Sequence, residues 1–105
     1  MTISGIDRSN VPLARRVVFS ADTMSVELAD GRTLTVPLNW YPRLMHGTHA
    51  ERERWELIGE GDGIHWPDLD EDVSIEGLLA GRRSGETKVS LARWLAKRPS
   101  KGVID

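Results

Sequence analysis

A chain of 105 residues fits one domain, large enough to bury a core without disulfide or metal support. With no cysteine, thiolate catalysis, zinc-finger spacing and disulfide frameworks are excluded together. The net charge of −2 speaks against a dedicated nucleic-acid binder, but it hides a segregation: residues 1–45 carry +1, residues 46–76 carry −8 and residues 77–105 carry +5.

Residues 1–15 read as an N-terminal arm. They lack the basic region and the apolar run of about 7 to 15 residues of a secretory signal, and no apolar stretch approaches the roughly 18 residues of a membrane helix. The protein is therefore expected to be cytoplasmic, with no membrane partner. An α+β core domain is expected over residues 16–83. Arg16–Ser20, Met24–Leu28 and Thr33–Val36 read as three strands. Between the last two, a two-residue Asp30-Gly31 turn would set Leu28 opposite Thr33 and put their faces in conflict. A three-residue loop, Ala29 to Gly31 with Gly31 left-handed, instead pairs Val26 with Leu34 and Met24 with Val36.

Pro37 ends the third strand, and Asn39 is placed to cap a helix that opens with Trp40, Tyr41 and Pro42. That helix is expected to be apolar at Leu44 and Met45, polar from His49 to Arg54, and weakened at Gly47. Trp55–Ile58 and Ile64–Trp66 read as a second hairpin around the Gly59–Gly63 turn. An acidic turn, Asp68 to Asp72, leads to Ser74 as the cap of a helix over Ile75–Ala80 that stops at Gly81. Residues 84–105 read as a basic extension with one short helix, Leu91–Arg98, capped by Ser90, closed by Pro99 and striped by Leu91, Trp94 and Leu95. The order is βββαββαα, giving a small antiparallel sheet of about five strands with helices packed on one face.

Little of this carries chemistry. His46, His49 and Glu53 can share a helix face, but the spacing is not His-Glu-x-x-His, Gly47 interrupts it, and Arg52 and Arg54 oppose a cation. Asp68, Asp70 and Asp72 resemble the start of a calcium loop, yet Val73 stands where the sharp turn needs glycine and Leu79 where a bidentate Glu belongs. The run from Gly59 to Gly63 lacks the Lys-Ser/Thr ending of a phosphate loop, and there is no Gly-x-Ser-x-Gly elbow. No catalytic, cofactor-binding or metal-binding set is expected.

Contact residues are better represented. Trp40-Tyr41-Pro42 and Trp66-Pro67 hold aromatic rings in restricted backbone settings suited to an interface, although at least two of the four tryptophans are needed for core volume. Asp68 and Asp70 can receive a basic partner, and Trp94 lies on a helix stripe that can dock on a protein.

The segments Asp30–Leu38, Trp40–Leu44, Gly63–Pro67, Leu69–Ser74 and Leu78–Gly81, in that order, resemble a bacterial family known only as a domain of unknown function, number two thousand four hundred and forty-two. The resemblance covers about Arg16 to Arg83. It implies a small α+β fold with no assigned activity and no catalytic residues to transfer. It also implies stand-alone domains, sometimes fused to a helix-turn-helix, and often encoded beside a second small protein in a toxin–antitoxin-like arrangement. The stretch after Arg83 is expected to be too short for a full helix-turn-helix. Three functions follow as expectations: an interaction or accessory module for a small cognate protein, antitoxin-like in role; a regulator touching nucleic acid through the basic end; and a small enzyme using His46, His49 or His65.

Overall fold

The structure, a computed structural model, describes residues 11–98. The first ten residues of the expected arm, and Pro99 and Lys101 of the basic end, lie outside the described residues.

Three strands, β1 (Ala14–Phe19), β2 (Thr23–Leu28) and β3 (Thr33–Pro37), form one antiparallel sheet in that order. The β2–β3 hairpin has the expected register, Val26 opposite Leu34 and Met24 opposite Val36. Gly31 has φ +96° and the Leu28 amide donates to the Arg32 carbonyl at 2.8 Å, which closes the three-residue loop. Register here follows from burial, because Met24, Val26 and Leu28 are all interior and a slip by one residue would expose all three.

The expected Asn39-capped helix is instead three short pieces: a 3-10 turn (Leu38–Trp40), α1 (Pro42–His46) and α2 (His49–Glu53). Tyr41, not Asn39, precedes α1 and makes no side-chain cap, while Pro42 takes the first turn as expected. The break falls at Gly47, whose Cβ position would lie 2.8 Å from Leu69 Cδ1, so a side chain there would have to displace the buried Leu69. Thr48 then restarts the helix with a capping box, its hydroxyl accepting from the Glu51 amide and the Glu51 carboxylate accepting from the Thr48 amide.

A second antiparallel sheet follows, β4 (Glu56–Ile58), β5 (Gly63–Trp66) and β6 (Glu71–Ser74). The single five-stranded sheet expected from sequence is thus two three-stranded sheets. The additional strand, β6, comes from the stretch read as an acidic turn. The turn itself is shorter and centres on Asp70, a left-handed residue at φ +53°, a conformation aspartate tolerates better than most side chains. Ser74 caps α3 (Ile75–Leu79) as expected, accepting from the Gly77 amide at 2.9 Å, and Gly81 follows at φ +76°. The last helix, α4 (Lys88–Lys97), begins three residues earlier than expected. Thr87 is its cap, and the Ser90 hydroxyl is engaged instead with Glu86.

Both sheets face one core. Met24 and Val26 from the first sheet meet Ile64 and Trp66 from the second, with Leu44 of α1 and Ile75 of α3 completing it. Trp66 is fully buried and its indole donates to the Arg52 carbonyl at 3.0 Å, which satisfies the one polar atom it brings inside.

Candidate functional site

Residues from both faces of β6, Glu71 and Val73 on one and Asp72 and Ser74 on the other, line one cleft of about 250 Å³. A cleft touching both faces of a strand runs along its edge, and β5 is the only strand paired with β6 among the described residues. The opposite wall is the loop Arg82–Gly85, with Tyr41 at the base.

The loop is held in place by the Trp40-Tyr41 pair. The Tyr41 hydroxyl donates to the Arg82 carbonyl at 2.9 Å, the Ser84 amide donates to the Trp40 carbonyl at 3.0 Å, and the Arg83 guanidinium lies 4.9 Å from the Trp40 ring centroid. The aromatic pair therefore fixes the loop that lines the cleft.

Beside the loop, Arg43 of α1 binds Glu86 through two nitrogens, at 2.6 and 3.0 Å, and also donates to the Asp70 carbonyl at 3.1 Å. The same guanidinium lies 5.1 Å from the Trp94 ring, and Arg98 approaches that ring to 4.7 Å while binding Glu51 at 2.7 Å. These contacts seat α4 on its own domain. They also account for two charges of the basic end and one of the acidic middle, since Arg98, Glu86 and Glu51 are engaged internally.

Glu71 stands apart from this pairing. Its carboxyl is half-buried, and no described residue makes a hydrogen bond or ion pair with it. Burial pushes it up to about 7; nearby Arg43 opposes the shift, while the charges of Glu86, Asp72 and Asp70 add to it. Tyr41 is raised as well, first by burial and then by the charge on Glu71. Across the cleft, Arg82 and Arg83 have no acidic partner among the described residues, whereas Arg16, Arg32, Arg43, Arg54 and Arg98 each have one.

The contact residues expected from sequence divide clearly. Tyr41 lines the cleft, Trp40 and Asp70 border it, and Pro42 opens the helix that carries Arg43. Trp94 is half-buried against the core under two arginines. Pro67 is exposed and Asp68 binds Arg54 at 3.1 Å, both away from the cleft lining. Trp66 is a correction: with 0% of its surface exposed, its ring has nothing to offer a partner. The reading also missed Glu71 and Ser84, and it counted Arg82 and Arg83 only among the bases of the C-terminal segment that could contact nucleic acid. A usable signal was present in the doubled arginine between Gly81 and Gly85, a loop too short and too polar to bury either side chain.

None of the three histidines lines the cleft. His65 lies on the outer face of the second sheet between Glu56 and Asp72, hydrogen-bonded to Asp72, and this bond raises its pKa above the ordinary imidazole range. His46 ends α1 and His49 begins α2. Among the described residues, no three metal-ligating side chains converge and no helix is long and apolar enough to cross a membrane.

Comparison with known proteins gives a family without a function. The sequence profile of the family described as "Protein of unknown function (DUF2442)" matches residues 14–84. A crystal structure of a protein of unknown function from Rhodospirillum rubrum is similar at 30% identity and TM-score 0.63, over 76% of this chain and 96% of that one. The solution structure of the uncharacterised protein CV0863 from Chromobacterium violaceum is similar at 28% identity and TM-score 0.63, over 90% of this chain and 82% of that one. No curated protein matches the chain.

Proposed function

The chain belongs to the DUF2442 family of proteins of unknown function, and from that premise we propose that it is a protein–protein interaction module that receives an extended segment of a small cognate protein along the free edge of β6. The supporting observation is the cleft itself, about 250 Å³ and lined by both a fixed loop and a strand edge that is unpaired among the described residues. A free edge offers a row of amides and carbonyls, and an added strand satisfies them while alternate side chains reach the two walls.

Of the other free edges, those of β1 and β3 are less suited to this. β3 ends in Pro37, which has no amide to donate. The start of β1 is closed by the Ala14 amide bonding to the Gly61 carbonyl at 2.8 Å. The outer face of the first sheet is mostly polar and paired within itself, with Arg16 bound to Glu27 and Ser25 to Thr35, and Val18 as its exposed apolar residue. An accessory, antitoxin-like role for such a module agrees with a site built for capture rather than for turnover.

Site-directed photocrosslinking in the native cell tests this. A photoreactive residue at Ser84 is expected to capture one small protein, and the same residue at Arg32, in the hairpin loop of the first sheet, is expected to capture none. An identical pattern from both positions, or no product from Ser84, would overturn the proposal.

A further inference from the structure

Among the described residues Arg82 and Arg83 are adjacent, exposed and without an acidic partner; Arg15, Arg52 and Arg93 also lack one, but they do not line the cleft. Arg82 and Arg83 both line the same shallow, solvent-open cleft. Arg83 is oriented by the Trp40 ring, and the chain between the two guanidiniums is fixed through the Arg82 carbonyl and the Ser84 amide. A planar guanidinium presents paired donors that match the two oxygens of a carboxylate, and donors fixed in advance lose less entropy on binding. Asp72, which also lines the cleft, is hydrogen-bonded to His65 and makes no ion pair with either arginine, so that with Glu71 protonated the lining holds two cations against one anion.

We infer that the Arg82–Arg83 wall of the cleft is a carboxylate site, seating either an acidic side chain or the C-terminal carboxylate of the segment that lies along β6. This rests on the strand-addition reading above and names the chemistry of its occupant.

Glu71 decides how the site responds to pH. The groups facing it are Tyr41 and Arg43 from the α1 side, Asp70 and Asp72 from its own chain, Glu86 from the segment before α4, and Arg82 and Arg83 from the loop. Of the arginines, Arg43 is already neutralised by Glu86. A half-buried carboxyl among Asp70, Asp72 and Glu86 retains its proton up to about pH 7. In that form it is a hydrogen-bond donor and does not repel an incoming anion. Above that pH it ionises and opposes the same ligand. Binding of a carboxylate therefore takes up a proton at Glu71, and affinity falls about ten-fold from pH 6 to pH 8.

The test uses the full chain labelled with 15N and three capped alanine tetrapeptides: one with a free C-terminal carboxylate, one amidated with an internal glutamate, and one amidated and neutral. The two acidic probes are expected to shift the amide signals of residues 82–85 and of β6, the tighter of the two identifying the source of the carboxylate. The Arg82→Gln and Arg83→Gln variants each lose about ten-fold in affinity. Glu71→Gln, which keeps a neutral donor in place, shows no fall in affinity between pH 6 and pH 8. Equal binding of the neutral peptide would leave strand addition standing and overturn the carboxylate site. So would the absence of any shift with both acidic probes, or affinity that rises with pH. Failure at Ser84 in the crosslinking experiment would remove the strand-addition reading independently.

Discussion

At the scale of single residues, Glu71 is the clearest departure from ordinary surface chemistry. Its pKa is about 7 in the folded protein against 4.5 for an ordinary glutamate, so the unfolded chain gives up its proton first as pH rises. Stability consequently declines from about pH 4.5 and levels off above about pH 7. The full shift corresponds to roughly 3 kcal/mol, and because the cleft is open to water the expected effect is nearer 2 kcal/mol. Glu71→Gln should therefore stabilise the protein by about 2 kcal/mol at pH 8 and leave it unchanged at pH 4, as measured by urea unfolding at the two pH values. Equal effects at both would show that the carboxyl is solvated like any other. Sequence could not single out this residue. Four acids lie between Asp68 and Asp72, and the one set against Tyr41 is distinguished only by alternation with Val73, a pattern spanning three residues.

Among the elements, what was legible depended on how many residues shared a pattern. The β2–β3 hairpin followed from three interior side chains and a glycine, each constraining the same register. By contrast β6 buries only Val73, so periodicity had nothing to count, and acids that favour turns outvoted it. The helix caps show the same limit. Ser74 was unambiguous, but Thr87 and Ser90 both suit a cap, and the choice depends on Glu86, which Arg43 places from 43 residues away. α4 has no fully buried residue and is held by Trp94 between contacts with Arg43 and Arg98, together with the Arg98–Glu51 pair. Trp94→Ala should therefore loosen α4 by about 1 to 2 kcal/mol, the scale of two cation–π contacts. Hydrogen exchange should speed up in α4 while the amides of β2 keep their protection. A uniform loss across both elements would show that α4 belongs to the cooperative core.

For the molecule as a whole, the titrating groups act in opposite directions on either side of mild acidity. The pKa of Glu86 is lowered chiefly by its bond to Arg43. That of Glu51 is lowered too: burial pushes it up, but Arg98 and Thr48 together outweigh this. Groups of this kind stabilise the fold above the ordinary carboxylate range and lose that contribution as pH falls through their depressed values. Glu71 does the reverse, favouring the fold when protonated and losing ground from pH 4.5 to about 7. His65 adds to that trend, since a raised imidazole supports the fold while charged and ceases to as pH rises through its folded value. The stability maximum is therefore expected near pH 5, below the neutral range where most domains of this size are most stable. Thermal unfolding midpoints measured from pH 3 to pH 9 should rise to that point and then fall toward pH 8. In Glu71→Gln the fall on the alkaline side should largely disappear, while the acid limb, set by Glu51 and Glu86, stays in place. A wild-type maximum at pH 7 or above would mean that the cleft leaves Glu71 in contact with bulk water, and the proton-linked behaviour of the carboxylate site would lose its physical basis.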